Sequence, residues 1–182
     1  VPAFVKQLEE NGVYYIDNET EMLQLTKTVL NHDMKMVRKM EGKSAMDILE
    51  EAGIHPNRPV RLVVVRTFAK HPLVLEECLM PVVPLVAVAD FEEALETALF
   101  TEQGYRHTAM VHSQCIDRLS KAAKIMNTTV FIKNGSSLAG IGLNGEEMAS
   151  FTIANVTGEG ITTARDFACK RSCTLTSGFS LR

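Results

Sequence analysis

Two adjacent carboxylates stand directly before an apolar run in this sequence. Glu76 and Glu77 precede Cys78-Leu-Met-Pro81 and the valine-rich stretch that follows it. An ionised carboxylate held at the start of a strand can accept hydrogen bonds from the hydroxyl groups of a ligand. From the residues alone, however, a helix end with solvated carboxylates is the favoured interpretation.

A histidine and a glycine-rich stretch are the other candidates for chemistry. His107 opens a predicted strand after Gly104, and alone it is more often a hydrogen-bonded structural histidine than a catalyst. Gly140–Gly145 fits the pattern G-x-G-x-x-G, but a dinucleotide site needs a strand directly before it and a helix at its third glycine. Residues 134–139 separate the match from the preceding strand, so it is interpreted as accidental. So many glycines still indicate a loop that approaches a ligand or a neighbouring backbone.

Composition excludes several classes of function. The 182 residues are 46% hydrophobic and 23% charged, with a net charge of −3, which is ordinary for one globular domain. No face is visibly basic and no apolar run approaches about 20 residues, so neither nucleic acid nor a membrane is an expected partner. The four cysteines form no regular framework, which favours a reduced, cytoplasmic protein. No metal is expected, because Cys169 and Cys173 lack a second pair of ligands nearby.

The first third of the chain is predicted to be helical. Pro2 suits a first helical turn, and Asn11-Gly12 would end that helix. A second helix is predicted through Met22–Leu30, and Ser44 with Asp47 forms the capping box of a third. None of these predicted helices carries a candidate site residue.

Beyond this third the hydrophobic period becomes that of strands. Runs of β-branched residues predict strands at Val60–Val65, Val82–Val88, Thr108–Val111 and Thr128–Ile132, with a further one at Ser150–Ala154. Helices opening at Asp90 and at Ser113 separate the middle strands. Strands and helices in alternation require a largely parallel sheet covered by helices. The predicted fold class is therefore α/β.

Several blocks of sequence, in order, resemble one family. Glu76–Pro81 is similar to the segment written E-E-I-F-G-P in the aldehyde dehydrogenase superfamily, and its Leu-Met pair is closer to the coenzyme-A-acylating enzymes of propanediol and ethanolamine utilisation. Further blocks similar to that subgroup are His107–Ser113, Phe131–Gly135, Thr157–Phe167 and Cys173–Arg182. The chain thus resembles the C-terminal part of the catalytic domain of a coenzyme-A-acylating aldehyde dehydrogenase.

The resemblance implies an oxidoreductase that converts a short-chain aldehyde, propionaldehyde or acetaldehyde, with NAD and coenzyme A to an acyl-CoA and NADH. In the family a cysteine thiolate attacks the aldehyde, hydride passes to nicotinamide, and the coenzyme A thiol takes the acyl group from the thioester. Residues 1–172 would belong to the thiol-bearing catalytic domain, and 173–182 would add a strand to a neighbouring subunit of a homo-oligomer. The expected location is the cytoplasm or the interior of a bacterial microcompartment.

The same resemblance implies roles for individual residues. Glu77 aligns with the glutamate that accepts hydrogen bonds from the nicotinamide ribose hydroxyls. His107 aligns with a histidine beside the reaction centre, where it would give electrostatic help or carry protons. The other residues implied to line the cofactor and acyl pocket are Pro81, Asn134, Gly135, Ser136, Thr157, Gly158 and Glu159. The family commonly has a proline near Ser136 and a histidine at Arg106, and these departures blur the choice of acyl-chain length.

The family nucleophile corresponds to none of the four cysteines in this chain. In the family it lies shortly before the helix that begins near Pro2, so it is expected upstream of Val1, as is the Rossmann domain. Two other interpretations stay open. One is the aldehyde domain of a bifunctional aldehyde–alcohol dehydrogenase, against which the ending at Arg182 argues, and the other is a non-catalytic α/β binding or scaffold module.

The purified 182-residue chain is therefore expected to form no NADH from propanal, NAD and coenzyme A. The reason is that the thiolate on which the reaction depends is not among its residues. NADH fluorescence measures the reaction, with an intact coenzyme-A-acylating aldehyde dehydrogenase as the positive control. Turnover by the chain itself would contradict the placement of the nucleophile.

Overall fold

A computed structural model describes residues 2–145, 149–150, 152–154, 160–174 and 176. The described helices are α1 Pro2–Glu10, α2 Glu19–Val29, α3 Ala45–Glu51, α4 Pro72–Leu75, α5 Phe91–Glu102 and α6 Ile116–Met126. The described strands are β1 Val13–Ile16, β2 Leu62–Thr67, β3 Val82–Val86, β4 Thr108–Val111, β5 Val130–Lys133, β6 Thr152–Ala154 and β7 Gly160–Thr162. The chain divides into two compact units, Val1–Gly104 and Tyr105–Arg182.

The first unit is built on a parallel sheet with the strand order β1-β2-β3. In the central strand, Val63, Val64 and Val65 are all buried, with 0%, 4% and 0% of their surface exposed. Consecutive buried residues point to opposite faces of a strand, so both faces of β2 are covered. The register sets Val63 opposite Val82 of the neighbouring strand. Because the two strands run parallel, residues 68–81 form a crossover between them.

Helices of the first unit begin where the sequence offers caps. The Ser44 hydroxyl accepts a hydrogen bond from the backbone N–H of Asp47, whose carboxylate in turn accepts one from the backbone N–H of Ser44. The predicted capping box is therefore confirmed. Asp90 likewise caps α5 by accepting a hydrogen bond from the N–H of Glu93 at 2.9 Å. The buried faces of α2 and α3 pack into the same hydrophobic core as the sheet, with Ile48 fully buried.

One strand in the first third of the chain was not predicted. The segment Val13–Ile16 pairs in parallel with β2, with Ile16 opposite Val65. The prediction of a wholly helical first third is therefore wrong. The helix does end before Asn11-Gly12 as predicted, with Gly12 at a φ of 85°. A run of four residues is too short to reveal its own periodicity, and its pairing with a distant strand decides its conformation.

The second unit contains a β-α-β segment and a separate hairpin. Strands β4 and β5 pair in parallel around α6, while β6 and β7 pair antiparallel. The predicted cap at Ser113 is wrong, because Cys115 is the residue that precedes α6 and it makes no side-chain cap. The Ser113 hydroxyl, two residues before this cap position, instead accepts a hydrogen bond from the Cys115 N–H at 3.1 Å.

The described elements confirm the α/β class. Both described parallel sheets come from strands joined through helices, as the alternation of patterns predicted. None of the helices in the described ranges is long and apolar enough to cross a membrane. The boundary predicted at residue 172 stays a prediction, because most of 173–182 lies outside the described residues.

Replacing Ser44 with alanine is expected to lower the free energy of unfolding by about 1 kcal/mol, the usual effect of losing a serine cap. Urea denaturation of the purified chain measures the change. Ser120→Ala is the matched control, because Ser120 lies exposed within α6 and caps nothing. Its effect should stay within about 0.5 kcal/mol, and equal stability of S44A and the parent chain would contradict the capping role.

Candidate functional site

The two carboxylates at 76 and 77 have different surroundings. Glu76 ends α4: its backbone N–H donates to the Pro72 carbonyl at 2.9 Å, and its half-buried carboxylate forms an ion pair with Lys35. Glu77 is exposed, and its carboxylate makes no hydrogen bond or ion pair with any residue that the structure describes. Glu77 is therefore the member of the pair whose oxygen atoms are available to the hydroxyl donors of a ligand.

The thiol next to this carboxylate is a packing group. Cys78 is half-buried against the core of the first unit, and its Sγ lies 3.6 Å from the Leu73 carbonyl oxygen, to which it donates. Burial first, and then the nearby Glu76 carboxylate, raise the pKa of the Cys78 thiol to about 11. A thiol with such a pKa is protonated at neutral pH and is a poor nucleophile.

A buried histidine begins the turn that leads to the carboxylate pair. His71 caps α4 through Nδ1, which accepts a hydrogen bond from the Leu73 N–H at 3.2 Å. The Phe68 ring packs edge-on against the imidazole, with the centroids 5.4 Å apart. Burial lowers the pKa of His71. Sequence reasoning missed this residue, although a polar side chain directly before Pro72 at the first helical position is a recognisable helix start.

Pro81 lies directly before β3. Its carbonyl accepts a hydrogen bond from the Val63 N–H at 2.9 Å, which continues the pairing of β3 with β2 by one residue. The ring of a proline has no N–H to pair with a strand and is tolerated at a strand's first position. The part implied for Pro81 in cofactor binding stays a prediction.

His107 lies exposed in the second unit, directly before β4. Its Nδ1 is 2.7 Å from the Thr108 hydroxyl oxygen. Its backbone carbonyl accepts a hydrogen bond from the Val130 N–H, which fixes the residue at the start of the parallel pair. The ring is thus anchored through one nitrogen and open to solvent, an arrangement that suits proton transfer.

Asn134 closes the end of β5 onto the segment that follows β4. Its Oδ1 accepts a hydrogen bond from the Ser113 N–H at 2.8 Å, and its Nδ2 donates to the Ser113 carbonyl at 2.9 Å. The residue has a φ of 53°, which asparagine tolerates better than most residues. The side-chain amide therefore holds two backbone segments together, and its place in a pocket wall stays a prediction.

The two residues after Asn134 continue a tight turn. A Cβ atom on Gly135 would lie 2.9 Å from Cγ2 of Ile132, so only glycine fits there without a shift. Ser136 begins a short 3-10 helix, and its hydroxyl accepts a hydrogen bond from the Leu138 N–H at 3.3 Å. The turn is shaped by its own contacts, and the implied pocket roles of Gly135 and Ser136 stay predictions.

The G-x-G-x-x-G match follows this 3-10 helix, Ser137–Ile141, rather than a strand. A Cβ atom on Gly140 would lie 2.6 Å from Cγ1 of Val130, and one on Gly145 would collide with the backbone carbonyl of Ala139. The glycines therefore allow close packing against a strand and against backbone, as the alternative reading predicted. Residues 146–148 lie outside the described residues.

A pocket of about 540 Å³ lies within the second unit. It is lined by β5, by the glycine-rich segment and by the start of β7. None of the described residues to which the resemblance assigns a role lines it. Thr157, Gly158 and Glu159, which were also assigned to a pocket loop, lie outside the described residues. In the described ranges no three His, Cys, Asp or Glu side chains gather as they would around a metal ion.

Comparison with known proteins places this geometry in context. No protein-family model matches the chain. It is 44% identical over 179 residues to the propanal dehydrogenase (CoA-propanoylating) of Citrobacter freundii, an alignment that covers 98% of this chain and 38% of the relative. It is 50% identical over 146 residues to the corresponding enzyme of Salmonella typhimurium, covering 80% of this chain and 32% of that one.

A solved structure agrees with these relatives. The propionaldehyde dehydrogenase of Rhodopseudomonas palustris, crystallised with bound CoA and an acylated cysteine, superposes with a TM-score of 0.89 at 38% identity. The superposition covers 96% of this chain and 40% of that structure. The fold is thus that of the acylating aldehyde dehydrogenases. The chain belongs, as a partial segment, to the coenzyme-A-acylating aldehyde dehydrogenase family, and it spans less than half the length of the relatives that it matches.

The stability of the protein is expected to fall as the pH drops below about 6.5, the ordinary pKa of histidine. Burial lowers the pKa of His71 in the folded state. The unfolded chain therefore binds a proton more readily than the folded chain, and protonation favours unfolding. Protonation would also remove the lone pair with which Nδ1 caps α4. His71→Asn is expected to flatten this dependence, as measured by urea denaturation between about pH 7 and pH 5.

His55→Asn is the matched control, because His55 is exposed and should leave the pH dependence unchanged. Two carboxylates contribute only at more acidic pH. Hydrogen bonds from Lys39 and from the Thr163 backbone lower the pKa values of Glu51 and Asp166, so their stabilising effect is lost below the ordinary carboxylate range. An unchanged slope in His71→Asn would contradict the neutral, capping state of His71.

Proposed function

We propose that the whole protein, of which this chain is a segment, is an NAD-dependent coenzyme-A-acylating aldehyde dehydrogenase. It converts propionaldehyde or acetaldehyde, with NAD and coenzyme A, to the acyl-CoA and NADH. The proposal is supported by the identity of 44% and 50% to two propanal dehydrogenases that transfer the acyl group to coenzyme A. NAD supplies the hydride acceptor and coenzyme A the thiol that receives the acyl group.

The observation that carries the proposal is the division of labour between the two carboxylates. Glu76 is occupied by Lys35 and by the end of α4, whereas Glu77 is exposed and without a partner in the described part of the chain. An ionised acceptor of this kind fits a ligand that presents hydroxyl donors. In our proposal Glu77 accepts hydrogen bonds from the nicotinamide ribose and so holds the ring in place for hydride transfer.

His107 is proposed to act on protons or on developing charge near the reacting group. Its Nδ1 contacts the Thr108 hydroxyl, an arrangement that supports a fixed ring with Nε2 directed away from its own backbone. Histidine suits this role because its ordinary pKa lies close to neutral pH. The exposure of the ring in this chain is consistent with such a role.

The remaining assigned residues are proposed to shape the pocket rather than to react. The Asn134 amide is bonded at both ends to Ser113, so its contribution would be to hold the turn that carries Gly135 and Ser136. Pro81 would set the start of β3 beyond Glu77. Thr157, Gly158 and Glu159 are proposed for a second pocket loop on the resemblance alone.

The nucleophilic cysteine is proposed to lie outside this chain. Cys78 is held by a backbone carbonyl with its pKa raised to about 11, which is the opposite of an activated thiol. Cys115, Cys169 and Cys173 are exposed, and none of them corresponds to the family nucleophile in its sequence surroundings. In this proposal the chain supplies cofactor positioning, while the thiolate comes from elsewhere in the whole protein.

Assembly and location complete the proposal. Residues 173–182 are proposed to add a strand to a neighbouring subunit, giving a homo-oligomer, and the resemblance to propanediol utilisation enzymes supports a cytoplasmic location within a bacterial microcompartment. Neither nucleic acid nor a membrane is a proposed partner.

In the whole enzyme, Glu77→Gln is expected to raise the KM for NAD about tenfold or more. Glutamine keeps the shape of the side chain but loses the charge that makes such hydrogen bonds worth about 1.5–3 kcal/mol. Glu76→Gln is the matched control, one residue away. It loses a partly exposed ion pair worth about 1 kcal/mol or less.

Steady-state NADH formation at varied NAD, with propanal and coenzyme A saturating, measures both variants. Equal KM values for NAD in Glu77→Gln and Glu76→Gln would argue against the proposed role of Glu77. No acyl-CoA product from the unmodified whole enzyme, detected by mass spectrometry, would argue against the activity itself.

A further inference from the structure

The segment that presents Glu77 rests on one short, capped turn. At the start of the turn, Nδ1 of His71 accepts a hydrogen bond from the Leu73 N–H at 3.2 Å. After the end of the turn, the Cys78 thiol donates a hydrogen bond back to the Leu73 carbonyl at 3.6 Å. Leu73 itself is only 1% exposed, so it anchors the turn in the core. The imidazole is thus connected through one residue to the neighbour of Glu77.

Both flanks of Glu77 are held in this way, while its own side chain is not. On one side, the Glu76 N–H donates to the Pro72 carbonyl at 2.9 Å and its carboxylate pairs with Lys35. On the other side, Cys78 bonds back to the turn. The Leu79 carbonyl beyond it accepts a hydrogen bond from the Gly42 N–H at 3.0 Å. The backbone on either side of Glu77 is therefore fixed, which limits the directions its carboxylate can take.

The capping histidine is itself tightly held. His71 is 7% exposed, and its backbone N–H donates to the Phe68 carbonyl at 2.9 Å. The Phe68 ring packs edge-on against the imidazole. The His71 carbonyl accepts a hydrogen bond from the Val74 N–H. A ring nitrogen that accepts a hydrogen bond carries no proton, so the buried imidazole is in the tautomer protonated on Nε2. His71 is thus both buried and the cap of the helix.

We propose that His71 is a positioning residue for cofactor binding. By capping α4, His71 holds the turn that directs the Glu77 carboxylate toward the ribose of the nicotinamide nucleotide. This inference rests on the proposed function, since it concerns the residue by which that function binds NAD. His71 does not touch the cofactor in this proposal and acts only through the backbone of the turn.

A pair of amide substitutions in the whole enzyme tests the inference. Asparagine is among the best capping residues, whereas glutamine, one methylene longer, is not among them. We expect His71→Gln and His71→Ala to raise the KM for NAD about fivefold, the equivalent of one lost cap. The KM for propanal and kcat at saturating NAD should stay within about twofold, and His71→Asn should restore the KM for NAD.

Removing the cap of another helix distinguishes a general loss of stability from a loss of local positioning. Asn18 caps α2 in the same unit, accepting a hydrogen bond from the Glu21 N–H at 2.8 Å, and belongs to another helix. Asn18→Ala should lower the melting temperature much as His71→Ala does, and leave the KM for NAD unchanged. A rise in that KM in Asn18→Ala equal to the one in His71→Gln would overturn the inference.

The double variant His71→Gln/Glu77→Gln shows whether the two residues act through each other. If His71 works only through Glu77, the double variant has the same KM for NAD as Glu77→Gln alone. If the rise in the KM for NAD of the double variant equals the product of the two single rises, the inference is overturned. A raised KM in Glu77→Gln together with an unchanged one in His71→Gln and His71→Ala would overturn the positioning role and leave the proposed function standing. An unchanged KM in Glu77→Gln would overturn both.

Discussion

The parallel pairing of β2 with strands on both of its edges is the constraint on which the first unit depends. Val63, Val64 and Val65 can be buried together only because β1 and β3 take up the backbone hydrogen bonds of β2, while helices and loops cover its two faces. Parallel pairing then forces the chain to cross over between β2 and β3. The crossover is where α4 and the carboxylate pair lie, so a packing requirement places the segment that we propose for cofactor binding.

Within that crossover, hydrogen bonds and an ion pair engage some polar groups and leave others available. Glu76 and Glu77 are identical in chemistry and adjacent in sequence, but one closes a helix and pairs with Lys35 while the other stays exposed. Burial of the neighbouring Cys78 thiol raises its pKa, so the thiol stays protonated and is a poor nucleophile. The same logic holds in the second unit, where the Asn134 amide is engaged by Ser113. Exposed polar groups left without partners are the ones a ligand can use.

The comparisons and the geometry support each other at different levels. Identity of 44% along nearly the whole chain establishes the family, and it would do so without any side-chain contact. The contacts add what identity does not contain, namely which acceptor is available and which thiol is inert. Because the chain spans 38% of that relative, the activity of the whole protein stays a proposal.

Sequence by itself determined the elements whose causes are local. The capping box at Ser44, the cap at Asp90 and the β-branched runs were predicted correctly because each signal lies within a few residues of the structure it produces. The alternation of strands and helices gave the α/β class, and the ordered blocks gave the family. The glycines at 140–145 were also read correctly, since close packing is a property of glycine itself.

Tertiary structure alone decided what depends on partners far along the chain. Strand β1 exists because it pairs with β2, and Ser113, which lies before the cap position of α6, is bonded through its backbone to Asn134, 21 residues away. Which glutamate is free depends on Lys35, at a separation of 41 residues. The burial of His71, which lowers the pKa of its imidazole, likewise exists only in the folded protein. Pairing, burial and tautomer are set by neighbours in space, and a single sequence does not state which residues those are.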